Sequence, residues 1–274
     1  MTLHRPDRLA DALALLAGDA VALGGGTDLY PGLRDAAPPP HMVDLTRIAG
    51  LRGIRRDGTG WRIGGATTWT QVLKADLPPL FDGLRGAARE VGSVQIQNAG
   101  TVAGNLCNAS PAADGMPALL ALDATVELAS DAGTRRVALA DFVHGPRLTA
   151  LARGEILTAI HIPDAAGRGA FLKLGARRYL VISIAMVGAV VATQAGRIVR
   201  ARVAVGACSP VARRLAGLET ALAGATADEV SAIVSACAFT ELSPIDDVRA
   251  SADYRSEAVK ALVVRAVSAT MEAK

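Results

Sequence analysis

The chain has 274 residues, 51% of them hydrophobic and only 3% aromatic, with a formal net charge of +3; its mean hydropathy is +0.31 and its pI is near 9.0. That length holds one large domain or two modest ones, and that composition predicts a well-buried globular protein with an Ala/Val/Leu/Ile core. The basic excess is dispersed as Arg55-Arg56, Arg135-Arg136, Arg177-Arg178 and Arg213-Arg214, with no basic stripe interleaved with aromatics, which argues against nucleic acid as a partner. Cys107, Cys208 and Cys237 are widely spaced with no CxxC. This spacing offers neither an iron–sulfur cluster nor a structural zinc site, and reads as reduced thiols in the cytoplasm. No signal peptide is expected at the N-terminus, and the longest apolar run, 181–193, is too short to span a bilayer.

In chain order, Pro6 followed by Leu9, Ala12, Leu13 and Leu16 has helical spacing that Gly18 stops. Residues 20–23 read as a short buried strand, and Thr27 and Asp28 as caps of a short helix ending near Leu33. Residues 41–45 form a strand candidate, and 53–56 and 61–65 flank Asp57-Gly-Thr-Gly60, a hairpin signature. Helices are expected from Thr68 and over 80–90 and 114–122, and strands over 124–129 and 156–162. Residues 163–169 read as a linker. Beyond it, 170–175, 183–193 and 198–206 predict an antiparallel meander, followed by helices over 213–223, 228–239 and 254–271. This change of texture predicts two domains split near residue 165.

Two glycine-rich segments carry the chemistry. Leu23-Gly-Gly-Gly-Thr-Asp-Leu29 directly follows the first buried strand, and Gly100-Thr-Val-Ala-Gly-Asn105 lies within 92–114. The second stretch is so rich in small residues that it is expected to pack no core and to bring its backbone close to a ligand. Neither segment has the GxGxxG spacing of a Rossmann turn or the lysine of a P-loop. The remaining nucleotide reading is a clamp in which N–H groups around 24–27 face one phosphate and those around 101–105 face the other. The alternative is a scaffold in which both are ordinary glycine turns.

The pattern GGGTDL followed by QNAGTVAGNLCNASPAAD resembles the FAD-binding medium subunit of molybdenum hydroxylases, the xanthine dehydrogenase family. Glu155-Ile-Leu157, Gly175-Ala-Arg-Arg178 and Ser243-Pro-Ile-Asp-Asp-Val-Arg-Ala-Ser-Ala-Asp-Tyr-Arg255 resemble further motifs of that family in the same order. The resemblance implies an α+β fold: a vanillyl-alcohol-oxidase-type (PCMH-type) FAD-binding domain over 1–165, then a small C-terminal domain over 170–274 with a three-stranded antiparallel sheet and helices. It implies that Leu23, Gly24, Gly25, Gly26, Thr27, Asp28 and Leu29, with Thr101, Val102, Ala103, Gly104 and Asn105, hold the FAD pyrophosphate. Asp114 would accept from a hydroxyl, expected on the ribityl chain, and the backbone of Leu157 would lie beside the isoalloxazine ring.

By the same resemblance the chain is an electron-transfer subunit. It would pass electrons from two [2Fe–2S] clusters on a small subunit through FAD to an external acceptor, while a large subunit carries molybdopterin, in a dimer of heterotrimers. A free-standing FAD-dependent oxidoreductase of the same fold is the alternative. Three departures stand out. Ala103 replaces the first of the family's paired glycines, and Ile184 falls roughly where mammalian xanthine dehydrogenases carry a lysine near the flavin. Gly26 stands where some members have histidine, so FAD is expected to be noncovalent. His4, His41, His144 and His161 show no metal-ligand spacing, and no catalytic residue or metal site is expected. Cys107 reads as a small buried filler, Trp61 and Trp69 as core, and Asp246-Asp247 with Arg249 and Arg255 as a brace for the last helix. Arg177-Arg178 would face FAD or a partner.

Overall fold

The computed structural model describes residues 1–272. They form two compact units, each assembled from separate stretches of chain: Met1–Ala75, Ser93–Ala109 and Ala124–Asp164 in the first, and Asp76–Gly92, Ser110–Asp123 and the residues from Ala165 onward in the second.

The first unit holds a three-stranded sheet, a five-stranded sheet and a two-stranded ribbon, Val143–Gly145 with Leu148–Thr149. Strand His41–Asp44 lies between Thr2–His4 and Val21–Leu23, parallel to both. Helix Leu9–Leu16 buries Ala12, Leu13 and Leu16 against Val43, Ile48, Leu51 and Ile156, as its 3-and-4 spacing requires. The second sheet is five-stranded and antiparallel, in the order Ile54–Asp57, Gly60–Gly64, Ile156–Pro163, Thr125–Ser130, Gly133–Ala138. Ile156–Pro163 is its centre and reads as a nearly unbroken apolar run. Gly133–Ala138 is an edge strand whose exposed residues carry no period-2 signal, so no local pattern announced it.

The 92–114 stretch is more ordered than its composition suggests. Ser93 caps helix Val94–Ala99, and Thr101 caps helix Val102–Asn108, with Gly100 between them. Val102 and Leu106 are buried in the first unit. The expectation that this stretch packs no core is therefore corrected: short capped helices let small residues fill tight space.

In the second unit an antiparallel meander runs Arg168–Leu174, Ala185–Gln194, Arg197–Gly206, with a two-residue fourth strand, Arg213–Arg214, where a helix was expected to begin. Ala195 and Gly196 both have positive φ (50° and 74°), as a two-residue hairpin turn between right-twisted strands demands. Ala185–Gln194 is apolar on both sides because both faces are covered. Ala185, Val187, Ala189 and Val191 meet Val259, Val263 and Ala266 of the 20-residue helix Ala252–Met271 and the short helices Ala216–Ala221 and Val230–Ala236. On the other face a Cβ at Gly188 would stand 2.7 Å from the backbone of Pro117, within helix Gly115–Ala121, all of whose residues are buried.

Candidate cofactor site

Within the first unit the two glycine segments meet. Strand Val21–Leu23 delivers the chain to Gly24, and helix Leu29–Leu33 takes it away after Asp28. A Cβ at Gly25 would lie 1.8 Å from the carbonyl oxygen of Ala99, and one at Gly24 would lie 2.9 Å from Thr101 Oγ1. The glycines therefore let one loop press its backbone onto the other, before any ligand is considered. Asn108 Nδ2 donates to Asp28 Oδ1 at 3.0 Å and ties the two segments together.

The two loops differ in what they leave free. The N–H groups of Gly25, Gly26 and Thr27 find no acceptor among the described residues. In the second loop, Val102 N–H donates to Thr67 O (2.9 Å), Ala103 N–H to Gly65 O (3.3 Å) and Asn105 N–H to Thr101 O (3.1 Å). Gly104 N–H donates to the Thr101 hydroxyl at 3.0 Å. The two segments therefore differ in what they leave free: the first loop leaves backbone donors, whereas the N–H groups of 102–105 are already bonded and leave side chains. Chief among these is Asn105, whose Oδ1 is buried without a partner. An orphaned acceptor of this kind costs about 1–3 kcal/mol unless something donates to it.

Gly24, Thr101, Ala103, Gly104 and Leu157 line one apolar slot of about 280 Å³, in which Glu155 is the one charged lining residue. Leu157 sits on the central strand beside a β-bulge, and a Cβ at Gly65 would strike its carbonyl oxygen at 2.3 Å. Glu155 is held by both nitrogens of the Arg135 fork at 2.7 Å and by Ala152 N–H at 2.8 Å. These bonds, Arg135 foremost, hold its carboxyl below the ordinary range despite partial burial. Gly24 and Ala66 also line a wider cavity of about 650 Å³ carrying Arg5, Arg47 and Arg52. Arg5 faces Asp44 and Arg47 faces Asp7. Unsatisfied N–H donors, an apolar slot and a cavity lined by three arginines with Asp7 and Asp44 fit a dinucleotide with a diphosphate centre and flat rings, whose sugar hydroxyls supply a donor for the Asn105 oxygen.

Asp114 stands in the second unit. Its carboxylate meets Lys173 Nζ at 2.9 Å and accepts from Ser183 Oγ at 3.3 Å. Burial pushes its carboxyl up to about 6, against the pull of Lys173 and Ser183. Lys173 also donates to Glu90 O at 3.3 Å. Sequence reading missed Lys173 and Ser183: nothing near either in sequence announces a carboxylate partner, and a buried lysine in the strand Arg168–Leu174 looks like any strand residue. The buried lysine of this region is thus Lys173, while Ile184 is an apolar core position. Burial pushes the Cys107 thiol up to about 12, as suits a filler. No group of His, Cys, Asp and Glu among the described residues is placed to hold a metal ion, and none of the described helices is long and apolar enough to cross a membrane.

Comparison with known proteins gives this geometry its class. The FAD binding domain in molybdopterin dehydrogenase matches residues 1–165, and the CO dehydrogenase flavoprotein C-terminal domain matches residues 170–270. The chain belongs to the family of FAD-binding medium subunits of molybdenum hydroxylases, and it is a component of an oxidoreductase. It is 35% identical to the carbon monoxide dehydrogenase medium chain of Afipia carboxidovorans, over 96% of this chain and 94% of that one. It is 30% identical to the glyceraldehyde dehydrogenase medium chain of Sulfolobus acidocaldarius, over 96% and 95%. Its fold matches a chain of the reconstituted CO dehydrogenase from Oligotropha carboxidovorans with a TM-score of 0.90 at 32% identity, covering 99% of this chain and 97% of that one.

Proposed function

We propose that this chain is the electron-transfer subunit of a heterotrimeric molybdenum hydroxylase. It receives electrons from [2Fe–2S] clusters on a small subunit and delivers them to an external acceptor, while a large subunit carries molybdopterin and the substrate. The observation that carries the reading is the set of free N–H groups at Gly25, Gly26 and Thr27, packed against a segment that holds the unpaired Asn105 oxygen. Residues 1–165 act as the FAD-binding domain and 170–274 as the C-terminal domain, in a cytoplasmic dimer of heterotrimers.

When bound, noncovalent FAD supplies exchange between one-electron and two-electron carriers. The residues of this chain bind and orient it. Gly24 to Leu29, following Leu23, present backbone donors to the diphosphate. Thr101 and Asn105 add a hydroxyl and an amide; Val102 anchors the first turn of the Val102–Asn108 helix in the core, and the small Ala103 and Gly104 of that turn allow close approach. Leu157 and Ala103 form an apolar wall that excludes water from a ring. Asp114, gripped by Lys173 and Ser183, is the acceptor for a cofactor hydroxyl. No general acid or base is required of this chain.

The test is an affinity purification of the subunit co-expressed with its complex, with flavin absorbance and metal analysis of the eluate. Two co-purifying chains with FAD, iron and molybdenum are expected. A yellow protein that carries neither metal and is reduced by an organic substrate on its own would replace this reading with a free-standing flavoenzyme.

A further inference from the structure

The apolar slot of the first unit has one charged lining residue, Glu155, and the partners of that carboxylate stand outside the lining. Glu155 immediately precedes the central strand Ile156–Pro163. Arg135 belongs to the edge strand Gly133–Ala138 and reaches it across Thr125–Ser130. The Arg135 fork donates to both carboxylate oxygens at 2.7 Å, and its Nη2 also donates to Ala150 O at 2.7 Å. One guanidinium thus ties down both ends of 150–155, the segment that brings Leu151 and Glu155 to the slot wall. An apolar wall has no need of a carboxylate, and placing one there costs free energy.

The ion pair is lopsided. The Glu155 side chain is 10% exposed and that of Arg135 is 45% exposed. Water screens the cation, while the apolar slot does little to screen the carboxylate. Viewed from the slot, the pair is therefore a net negative charge. Its bonds to Arg135 and Ala152 hold the carboxyl below the ordinary range, so the charge persists near neutral pH. A second cavity, of about 320 Å³, shares Ala22 and Glu155 with the slot and carries Asp19 and Arg153. Those two pair at 2.7 Å but are 92% and 76% exposed, so solvent mutes their field.

Two electrons and one proton convert an oxidised flavin ring into its reduced anion, a net gain of one negative charge. A fixed carboxylate in a low-dielectric slot raises the free energy of that anion relative to the oxidised ring. We propose that Glu155 lowers the reduction potential of the isoalloxazine ring by holding a negative charge against the slot, with Arg135 as its positioning residue. This rests on the reading of the slot as the pocket of that ring. The consequence is a reduced cofactor that gives up its electrons more readily to the external acceptor.

The experiment titrates the flavin of the full chain, purified with its accompanying chains, against redox dyes with dithionite as reductant. Wild type, Glu155→Gln, Arg135→Gln and the control Asp19→Asn are compared, with the Kd for FAD and the melting midpoint of each. For Glu155→Gln the ratio of reduced to oxidised flavin at a fixed solution potential should rise about tenfold, an upward shift of about 30 mV for a two-electron couple. Arg135→Gln, measured at about pH 8 where an uncovered glutamate is still charged, should shift the potential downward. Asp19→Asn should match wild type. A wall that only lost its shape would weaken oxidised and reduced flavin alike and leave the potential in place; shifts of opposite sign are therefore the signature of the charge. An unmoved potential in Glu155→Gln, shifts of one sign in both variants, or an equal shift in Asp19→Asn would overturn the proposal. If Glu155→Gln holds no flavin, the direction of the Arg135→Gln shift decides; loss of flavin from both would make the pair a structural clamp and overturn it too. A Kd that changes while the potential does not would place the adenine end in the slot, and a wild-type chain without flavin would sink the pocket itself, an outcome distinct from failure of the charge.

Discussion

The two units use glycine for opposite purposes. In the first, Gly25 lets a loop lie on the carbonyl of Ala99, while its own N–H and those of Gly26 and Thr27 stay without acceptors. In the second, Gly188 lets helix Gly115–Ala121, all of whose residues are buried, lie on the sheet, where an added Cβ would meet the backbone of Pro117 and no ligand-facing donors are left beside it among the described residues. The same residue type thus marks a binding loop in one place and a packing joint in the other. What separates them is whether polar groups are left over. A core leaves none, because each would cost free energy; a cofactor site must leave some, because they are what the ligand satisfies.

Paired substitutions break or sharpen that contrast. Gly25→Val should have the largest effect. Its side chain cannot fit against Ala99, and the flavin content of the purified protein should fall below about a tenth of wild type, read from the ratio of flavin to protein absorbance. Gly188→Ala should instead lower stability by about 1–3 kcal/mol in denaturant titration, while the folded fraction keeps its FAD affinity. Loss of FAD affinity in Gly188→Ala with stability intact would erase the distinction.

Asp114 offers a pH test. Its carboxyl is raised to about 6 by burial, so the folded protein holds that proton more tightly than the unfolded chain does. Stability from this group therefore falls as pH rises from about 4 to about 6, by at most about 3 kcal/mol, and the penalty is fully present above that window. Asp114→Asn should flatten this part of the curve of melting midpoint against pH; an unchanged slope would assign it to another group.

Asn105→Ala should weaken FAD by about tenfold in a fluorescence titration, equivalent to about 1.4 kcal/mol, while leaving the cofactor-free protein as stable as before or more so. A clear loss of apo stability would mean that the amide serves the fold. The smallest effect concerns Cys107. Burial pushes its thiol up to about 12, so the reactive thiolate is scarce near neutral pH although the side chain lines the apolar slot. Iodoacetamide should therefore leave it unlabelled in the folded protein, as mass mapping of the alkylated chain will show.

Much of this architecture was legible in the sequence because its signals are local. The Leu9–Leu16 helix follows from spacing, and the strands Ala185–Gln194 and Arg197–Gly206 from the apolar runs that predict an antiparallel meander. The glycine segments also announced themselves, because backbone close approach permits few residue types. Where local signals were weak, reading faltered. The edge strand Gly133–Ala138 lacks alternation, and the helix Val102–Asn108 is too short and too small-sided to show a period.

By itself, then, the sequence determined which segments have regular structure, where the backbone must be free of side chains, and to which family the motifs point. Tertiary structure decided which polar groups remain unsatisfied. The N–H groups of Val102 and Ala103 are consumed by Gly65 and Thr67, far back in the chain, while those of Gly25 to Thr27 are not. It also decided that Asp114 meets Lys173, 59 residues later. The physical reason is that hydrogen bonding and charge pairing are settled by distance in space, and a contact across such an interval leaves no trace in the residues on either side of it.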